Sequence, residues 1–530
     1  MSLRRVGWLA AAGLAVLICT SCGQVYRPVV LPVNTIPPNP AGFHEVFAIS
    51  TNIPANQGAA MQIDVAGDSN IGEANMGVNP THAVMLPNNS RLFVASAGSL
   101  YPGFTDSVTA VSPAVDAPIA TGLGNPTVIS FPNTQPNLST CSYLPDFVTA
   151  AQTTAVYVAN YGTENNVNCN VTTTDSVAIV SPALNSISLV QYLPPASHPV
   201  AMVETPDSFN LYVLNQNNTV VNLSPTDLTT QANVPLGSST VPVWAVARPD
   251  AQKVYLVTQG DGALQTITTS SNTITATQSV GGPGANFVLY DNSRNRLYVT
   301  NPGNGSAAGA VYVFDATTDP PTPLGSATGV VSIPAPSPCS VMGVTCSPVA
   351  PVSVTALSDG SRFYVASYVT ATIAGGGCPD SNVTTTNGCV IPQVTIFDAA
   401  SLTLKPVSST FSMLFPSLSL LGAPLFGATQ YAIALPSTGS PCAPAATFTP
   451  ASTRFRLFTT ASTDASHVFV SMCDAGAIAD IATTTTTLPT GGTNTPDVLV
   501  TDLSAPVGAV TTLSGGTPPP QNPVFLLTGQ

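Results

Sequence analysis

Residues 296–301 read RLYVTN, and variants of this short run, each centred on an aromatic residue, recur along the chain. The other copies are RLFVAS around Phe93, AVYVAN around Tyr157, NLYVLN around Tyr212, KVYLVT around Tyr255, RFYVAS around Tyr364 and HVFVSM around Phe469. Each copy combines β-branched, aromatic and other apolar residues, which is typical of a β-strand. Tyr212, Tyr255 and Tyr298 are spaced 43 residues apart. The chain is therefore built from repeats of one strand-rich unit.

Each repeat contains more than one strand. Asp or Asn, which favour tight turns, stands five positions before the aromatic in five copies, as Asn88, Asp207, Asp250, Asp359 and Asp464. A further alternating run follows each aromatic: SVTAVSPA at 107–114, SVAIVSPA at 176–183, TVVNLSPT at 219–226, ALQTITTS at 263–270, AVYVFDAT at 310–317, QVTIFDAA at 393–400 and DVLVTDLS at 497–504. A weaker fourth run, such as NTITATQSV at 272–280, completes several units. Four antiparallel strands in such a period match the blade of a β-propeller.

Seven copies predict an all-β fold, a seven-bladed β-propeller with four-stranded antiparallel blades, as a single domain over residues 41–530. Two strand-like runs remain outside the seven units, EVFAIS at 45–50 and PVFLLTG at 523–529. We expect at least one of them to complete a terminal blade. The marker aromatics are expected to be buried between neighbouring sheets, where rings stabilise by burying area.

The repeats resemble the YVTN-repeat β-propellers of bacterial and archaeal surface proteins, and RLYVTN at 296–301 does so most literally. The resemblance covers about residues 78–515, with insertions between most of the copies. It implies a propeller fold and a place at the cell surface.

The composition limits the partners. Only 7% of the residues are charged, and 12 Lys and Arg stand against 25 Asp and Glu, which gives a net charge of −13. Nucleic-acid binding is excluded, because it needs many cations to neutralise phosphates. After residue 20 no run of about 18 apolar residues appears, so we expect a soluble mature body without a membrane-spanning helix.

The amino terminus has the layout of a secretory signal peptide over residues 1–21. Arg4 and Arg5 precede an apolar run from Val6 to Ile18, which is too short for a spanning helix. Residues 22–40 are rich in proline and predict an extended tether.

The end of this signal resembles the lipobox of bacterial lipoproteins. Thr20 and Ser21 precede Cys22, although Cys19 occupies a position where that pattern prefers Leu. The resemblance implies that Cys22 is lipidated and that the lipid anchor is the only membrane attachment. Gly23, in place of Asp, favours an outer-membrane or cell-surface location. Plain secretion is the alternative.

Eight cysteines remain after Cys19 and Cys22, and an even number outside the cytoplasm argues for disulfides. We expect the pairs Cys141–Cys169, Cys339–Cys346, Cys378–Cys389 and Cys442–Cys473. No zinc-type double pair occurs, and no EF-hand spacing links the acids near the insertions. We therefore expect no metal and no cofactor, and we interpret those acids as solvated loop residues: Asp175, Asp380, Asp474 and Asp480.

The insertions indicate a functional face. If strands a to d run from the central channel to the rim, the b–c loops and d–a connections emerge on one face and the a–b and c–d turns on the other. We assign six long insertions to the first face: 161–174, 368–392, 473–496, 124–143, 331–350 and 411–451. All eight cysteines lie in or beside them, so we name this the cysteine face and its opposite the short-turn face. Long loops on a rigid scaffold often carry binding.

One of these insertions is unusually apolar, FSMLFPSLSLLGAPLFGA at 411–428. We interpret it either as a loop or short helix packed on the propeller, or as an exposed partner surface or lid.

Aligning the units on their aromatic marker brings one register, eleven residues before it, to the channel mouth. It holds His82, Asp146, Ala201, Trp244, Phe287, Ser353 and Phe458. Aromatic faces with a few polar groups are typical of a small-ligand or sugar pocket. We predict that ligand contacts come from His82, Asp146, Trp244, Phe287 and Phe458. Ordinary packing between blades is the alternative.

The sequence contains little catalytic chemistry. No HExxH, GxSxG or phosphate-cradling glycine loop occurs. We therefore name no catalytic residue and favour a lipid-anchored envelope propeller that acts as a binding or scaffold module for an envelope protein or glycan. The alternative is an extracytoplasmic, lactonase-like or other hydrolytic propeller that uses Asp146 and His82. Ionisable groups converging on one point would favour the enzyme, and an aromatic surface would favour binding.

Overall fold

Strands account for almost all regular structure in the part of the protein that the structure describes. The structure, a computed structural model, describes residues 45–529 except 52–56, 66–68, 102, 114–125, 132–140, 164–170, 238–239, 304, 306, 381–382, 384–387, 408–430, 440–441, 443–454, 485–495 and 505–521. These residues belong to the unit Pro40–Gln530. They form 34 strands and two short 3₁₀ helices, Gly98–Leu100 and Ser337–Ser340.

The first three strands are β1 (Glu45–Ser50), β2 (Ala59–Asp64) and β3 (Ser69–Asn75). Blade 1 follows with β4 (Pro80–Met85), β5 (Leu92–Ser96), β6 (Ser107–Val111) and β7 (Thr127–Ser130). Blade 2 contains β8 (Pro145–Thr149), β9 (Val156–Asn160), β10 (Ser176–Ser181) and β11 (Ser186–Tyr192). Blade 3 contains β12 (Pro199–Glu204), β13 (Leu211–Asn215), β14 (Thr219–Leu223) and β15 (Thr230–Pro235). Blade 4 contains β16 (Pro242–Ala247), β17 (Lys253–Thr258), β18 (Ala263–Thr268) and β19 (Thr273–Ser279).

Blades 5 and 6 each carry one additional strand. Blade 5 contains β20 (Phe287–Asp291), β21 (Arg296–Asn301) and β22 (Ala310–Asp315), with β23 (Thr322–Pro323) and β24 (Val330–Ser332) both on the outer edge of β22. Blade 6 contains β26 (Ala350–Ala356), β27 (Arg362–Ile373), β28 (Cys389–Asp398) and β29 (Ala432–Ala434), and β25 (Val344–Cys346) pairs with the far half of β27. Blade 7 contains β30 (Leu457–Ala461), β31 (His467–Met472), β32 (Ala477–Ala482) and β33 (Val498–Ser504).

An eighth blade joins the two ends of the described chain. The last strand, β34 (Pro523–Thr528), pairs with β1 in the order β34, β1, β2, β3. β34 also contacts the innermost strands of blades 1 and 7, so it is the innermost strand of its own blade. The protein is an all-β propeller of four-stranded antiparallel blades, but the prediction of seven blades was wrong because EVFAIS and PVFLLTG together build an eighth.

The marker aromatics lie between the sheets, as predicted. All seven, from Phe93 to Phe469, have at most 3% of their surface exposed. β1 contributes an eighth marker, Phe47, which is 1% exposed. The rings therefore form the packing layer between blades, where apolar burial is the main stabilising contribution.

Three of the four predicted disulfides are present: Cys339–Cys346, Cys378–Cys389 and Cys442–Cys473. Cys141 is also disulfide-bonded, and its predicted partner Cys169 lies outside the described residues. Each described cysteine lies in or next to a b–c loop or a d–a connection, so the staples share the cysteine face.

The long connections are not confined to the cysteine face, which corrects the sequence interpretation. In blade 7 the third strand is β32, which starts at Ala477, and the run at 497–504 forms the fourth strand rather than the third. The insertion predicted at 473–496 is therefore mainly a c–d connection, which starts and ends on the short-turn face. Residues 411–428 lie outside the described residues. The strands before and after them, β28 and β29, are the third and fourth strands of blade 6, so these residues belong to a c–d connection and not to the predicted d–a connection.

Candidate functional site at the channel mouth

The eight innermost strands each place one equivalent residue at the end of the channel nearest the cysteine face. In six blades a β-bulge lies between the first proline of the strand and this residue. A bulge is expected there, because proline has no N–H to donate to the neighbouring strand. Each equivalent residue pairs with the position two beyond the marker aromatic. The eight are His82, Phe147, Ala201, Trp244, Phe287, Ser353, Phe458 and Phe525.

Trp244 crosses the channel at this level. Its ring centroid lies 5.7 Å from that of His82 and 5.3 Å from that of Phe147, although these residues belong to blades 1 and 2 and Trp244 to blade 4. It also lies 5.1 Å from Phe287 on the neighbouring blade. Ala201, the equivalent residue on blade 3, is small. The indole of Trp244 can therefore reach past blade 3 to the rings of blades 1 and 2.

The remaining rings close the other side of the mouth. Phe458 lies 4.5 Å from Phe525, which lies 4.3 Å from His82. Phe455, just before β30, fills the space beside the small Ser353 and contacts Phe458 at 4.8 Å. We name these seven rings the aromatic plug: His82, Phe147, Trp244, Phe287, Phe455, Phe458 and Phe525. All are at most 7% exposed, so the plug is a packed layer.

Four of the five predicted site residues belong to the plug, and Asp146 does not. Pro145 stands twelve residues before Tyr157, whereas Pro80 stands thirteen before Phe93. This shorter spacing moves the equivalent position in blade 2 by one residue, to Phe147. Asp146 occupies the bulge beside it and is fully buried. The ligand-binding role of these residues stays a prediction.

His82 is neutral inside the plug, because burial lowers the pKa of His82 to about 3. Its Nδ1 accepts the Val148 N–H at 3.5 Å. The ring therefore carries its hydrogen on Nε2, which has no hydrogen-bond partner among the described residues. A group with so low a pKa is a weak general base near neutral pH.

Acidification is expected to destabilise the protein through His82. Its pKa is 6.5 without burial and about 3 in the plug, so the unfolded state binds more protons between these values. The stability from a neutral His82 is thus fully present above pH 6.5 and is lost as pH falls toward 3. Between about pH 7 and about pH 4, we expect the free energy of unfolding to fall by roughly a few kcal/mol more in the wild type than in His82→Phe. Urea unfolding measures this, and parallel pH profiles would contradict it.

Behind the plug the channel carries no charge on its next level. The residues two positions further along the innermost strands are aliphatic or threonine: Val84, Thr149, Val203, Val246, Leu289, Thr355, Thr460 and Leu527. All but Thr355 are partly exposed, whereas the plug is buried. The channel is therefore closed by rings near the cysteine face and has an uncharged wall behind them.

Buried polar side chains on the cysteine face join neighbouring blades. In blades 1 to 3 an Asp or Asn just before strand c accepts the backbone N–H of the residue that precedes the next blade. The pairs are Asp106 with Leu144 at 3.0 Å, Asp175 with His198 at 3.0 Å and Asn218 with Val241 at 2.8 Å. These hydrogen bonds satisfy buried groups and position the next innermost strand.

The acids interpreted as solvated loop residues are in fact largely protected from solvent. Asp175, Asp380 and Asp480 are at most 5% exposed, and the Asp474 side chain is also 5% exposed. Within the part of the chain that the structure describes, no three His, Cys, Asp or Glu side chains are grouped so as to hold a metal ion. The interpretation of these four aspartates as solvated loop residues was therefore wrong, because their side chains are buried within the fold.

By sequence, the chain matches no protein-family profile and no curated protein. Among solved structures it is similar to the dihydro-heme d1 dehydrogenase NirN in complex with DHE, with 10% identity and a TM-score of 0.50 over 94% of this chain and 78% of that one. It is also similar to Kuenenia stuttgartiensis hydrazine synthase, with 14% identity and a TM-score of 0.43 over 78% and 97%. Pseudomonas aeruginosa periplasmic gluconolactonase, PpgL, shows 17% identity and a TM-score of 0.43 over 62% and 92%. At these identities the likeness shows the propeller fold alone.

Proposed function

We propose that the protein is a lipid-anchored binding module of the bacterial cell envelope, which captures an envelope glycan or protein through its cysteine face. The observation that carries the proposal is the placement of the staples. Every described disulfide holds a connection on that one face, and stapled loops on a rigid scaffold are a pre-organised binding surface.

The same bonds and the amino terminus support a compartment outside the cytoplasm. Disulfides persist in oxidising environments outside the cytoplasm, and the signal-like residues 1–21 end at Cys22. The helices of the described residues are two short 3₁₀ turns, and neither could span a bilayer. Acylation of Cys22 would supply the membrane attachment, since acyl chains contribute about 0.8 kcal/mol per buried methylene.

The channel mouth does not favour the hydrolytic alternative. The hydrolytic alternative needs Asp146 and His82 to work together, but Asp146 lies in the bulge outside the aromatic plug. His82 is a weak base whose ring stacks on Phe147 at a centroid distance of 3.8 Å. His82 is only 5% exposed, so its ring packs against other rings and does not line an open cleft.

The anchor is tested by Cys22→Ala in the native host. We expect the wild type in the membrane fraction and the variant in the soluble fraction, because the variant lacks the acceptor for the acyl chains. Unchanged membrane association of Cys22→Ala would overturn this part of the proposal.

The binding face is tested with two exposed apolar residues. Met342, on the cysteine face, is 96% exposed, and Phe209, in an a–b turn on the short-turn face, is 70% exposed. The full chain is screened against envelope glycans and purified envelope proteins. We expect Met342→Glu to weaken capture and Phe209→Glu to leave it intact. The reverse pattern, or no capture by the wild type, would contradict the proposed function.

A further inference from the structure

A groove in blade 6 combines a fixed cation with a row of hydroxyl groups. It has a volume of about 580 Å³ and lies beside the long hairpin β27–β28 on the cysteine face. Its lining includes Thr345, Ser347, Thr370, Thr372, Gly388 and Arg456. We name it the Arg456 groove.

Two contacts fix Arg456 in place. Its Nε donates to Asp474 Oδ2 at 2.8 Å, and its guanidinium carbon lies 4.7 Å from the centre of the Tyr368 ring. Arg456 follows Phe455 of the aromatic plug, so its backbone is also held. Such stacking and ion pairing pre-organise a guanidinium and lower the entropy cost of a further contact.

The same guanidinium keeps donors for a ligand. It has five N–H groups, and its hydrogen-bonded partner among the described residues is Asp474 alone. Arg456 lines the groove and its side chain is 25% exposed, so part of the guanidinium faces the groove. A planar guanidinium matches the two oxygens of a carboxylate.

The floor of the groove is a hydroxyl-bearing sheet surface. Thr345 on β25 pairs directly with Thr372 on β27, and Thr370 lies two residues earlier on the same side of the strand. All three are exposed. Gly388 keeps this surface open, because a Cβ there would clash with Thr372. Three neighbouring hydroxyls can donate to and accept from the hydroxyls of a sugar.

We propose that the Arg456 groove binds a carboxylate-bearing carbohydrate, with Arg456 holding the carboxylate and the three threonines contacting the sugar hydroxyls. The inference rests on the proposed function and names the ligand class. A single carboxylate fits better than a phosphate dianion, because Asp474 already balances Arg456 and the chain carries a net charge of −13.

The test is calorimetric titration of the full chain with a galacturonic acid trimer, a neutral galactose trimer and a glutamate tripeptide. We expect saturable binding of the acidic sugar, and affinities for the other two that are about tenfold or more weaker, because each lacks one of the two groups recognised. Equal affinity for the neutral sugar, equal affinity for the peptide, or no binding of the acidic sugar would overturn the proposal.

Variants locate the site. The double variant Arg456→Gln/Asp474→Asn removes both partners, so it leaves no buried unpaired charge. We expect it to lose about tenfold or more in affinity for the acidic sugar, whereas Arg248→Gln/Asp250→Asn, a matched pair on the short-turn face joined at 2.8 Å, keeps wild-type affinity. Thr372→Val, which removes a hydroxyl at nearly constant volume, should also weaken binding. Unchanged affinity in both groove variants would overturn the proposal.

The two proposals fail differently. If the cysteine face captures an envelope ligand and the acidic sugar does not bind, the groove assignment is wrong and the proposed function stands. If the groove variants lose sugar binding but envelope capture is absent, the groove stands as a ligand site and its envelope role falls.

Discussion

A chain that ends before Pro523 is expected to lose cooperative folding. β34 supplies the innermost strand of the eighth blade and pairs with β1 from Val46 to Ser50. Its Val524, Phe525 and Leu526 are 2%, 6% and 1% exposed. Burial of three such side chains contributes roughly 5–9 kcal/mol, which is comparable to the whole stability of many proteins.

Thermal unfolding followed by circular dichroism measures this loss. A matched truncation that removes only Gly529 and Gln530, beyond the strand, should unfold like the wild type. We expect the longer truncation to aggregate or to melt broadly at a much lower temperature, because it leaves β1 unpaired on its inner edge and opens the ring. A sharp transition at the wild-type temperature would show that the eighth blade does not close the propeller.

The second large effect is expected from Trp244→Ala. Trp244 is 7% exposed and contacts rings from four other blades. Truncating a buried Trp to Ala costs about 3–5 kcal/mol, because the removed area is lost and a cavity remains. From the sequence, Trp244 was predicted to contact a ligand, so that its truncation would weaken ligand capture. The packed aromatic plug predicts a stability loss instead.

Urea unfolding of Trp244→Ala and Phe209→Ala separates these expectations. Phe209 is 70% exposed, so its truncation should change the free energy of unfolding by no more than about 0.5 kcal/mol. A similarly small change for Trp244→Ala, combined with loss of ligand capture, would restore the binding interpretation of the plug.

The repeat predicts most of the fold because each blade carries its own marker and turn. The eighth blade is the exception, since its innermost strand lies at the far end of the sequence. EVFAIS matches RLFVAS in pattern, and its Phe47 matches Phe93, but no Asp turn or inner strand precedes it. The eighth repeat could not be recognised from a local turn, because it forms only when the two ends of the chain pair with each other.

The third strand of blade 7 was misassigned for a different reason. Both AIADIA at 477–482 and VLVTDLS at 498–504 alternate as strands do. Alternation alone does not distinguish a third strand from a fourth, and the structure pairs β31 with β32. Because of this misassignment, the insertion at 473–496 was predicted on the cysteine face, whereas most of it connects strands at the short-turn face.

Residues of the channel mouth were predicted in those blades that keep the same spacing to the marker aromatic. The register located His82, Trp244, Phe287 and Phe458, since each of them lies eleven residues before its marker aromatic. Phe455 has no counterpart in the repeat, because it precedes its strand and enters the plug from a connection. Side chains supplied by irregular segments carry no periodic signal.

The closing blade also determines how the molecule would carry mechanical load. β1 pairs through six residues with β2 on one side and through five with β34 on the other. A pull along β1, applied through the chain that precedes Glu45, strains both ladders in shear, so their hydrogen bonds must break together rather than one after another. A force applied at that end would thus load the eighth blade first, while the other seven blades remain outside the direct line of force.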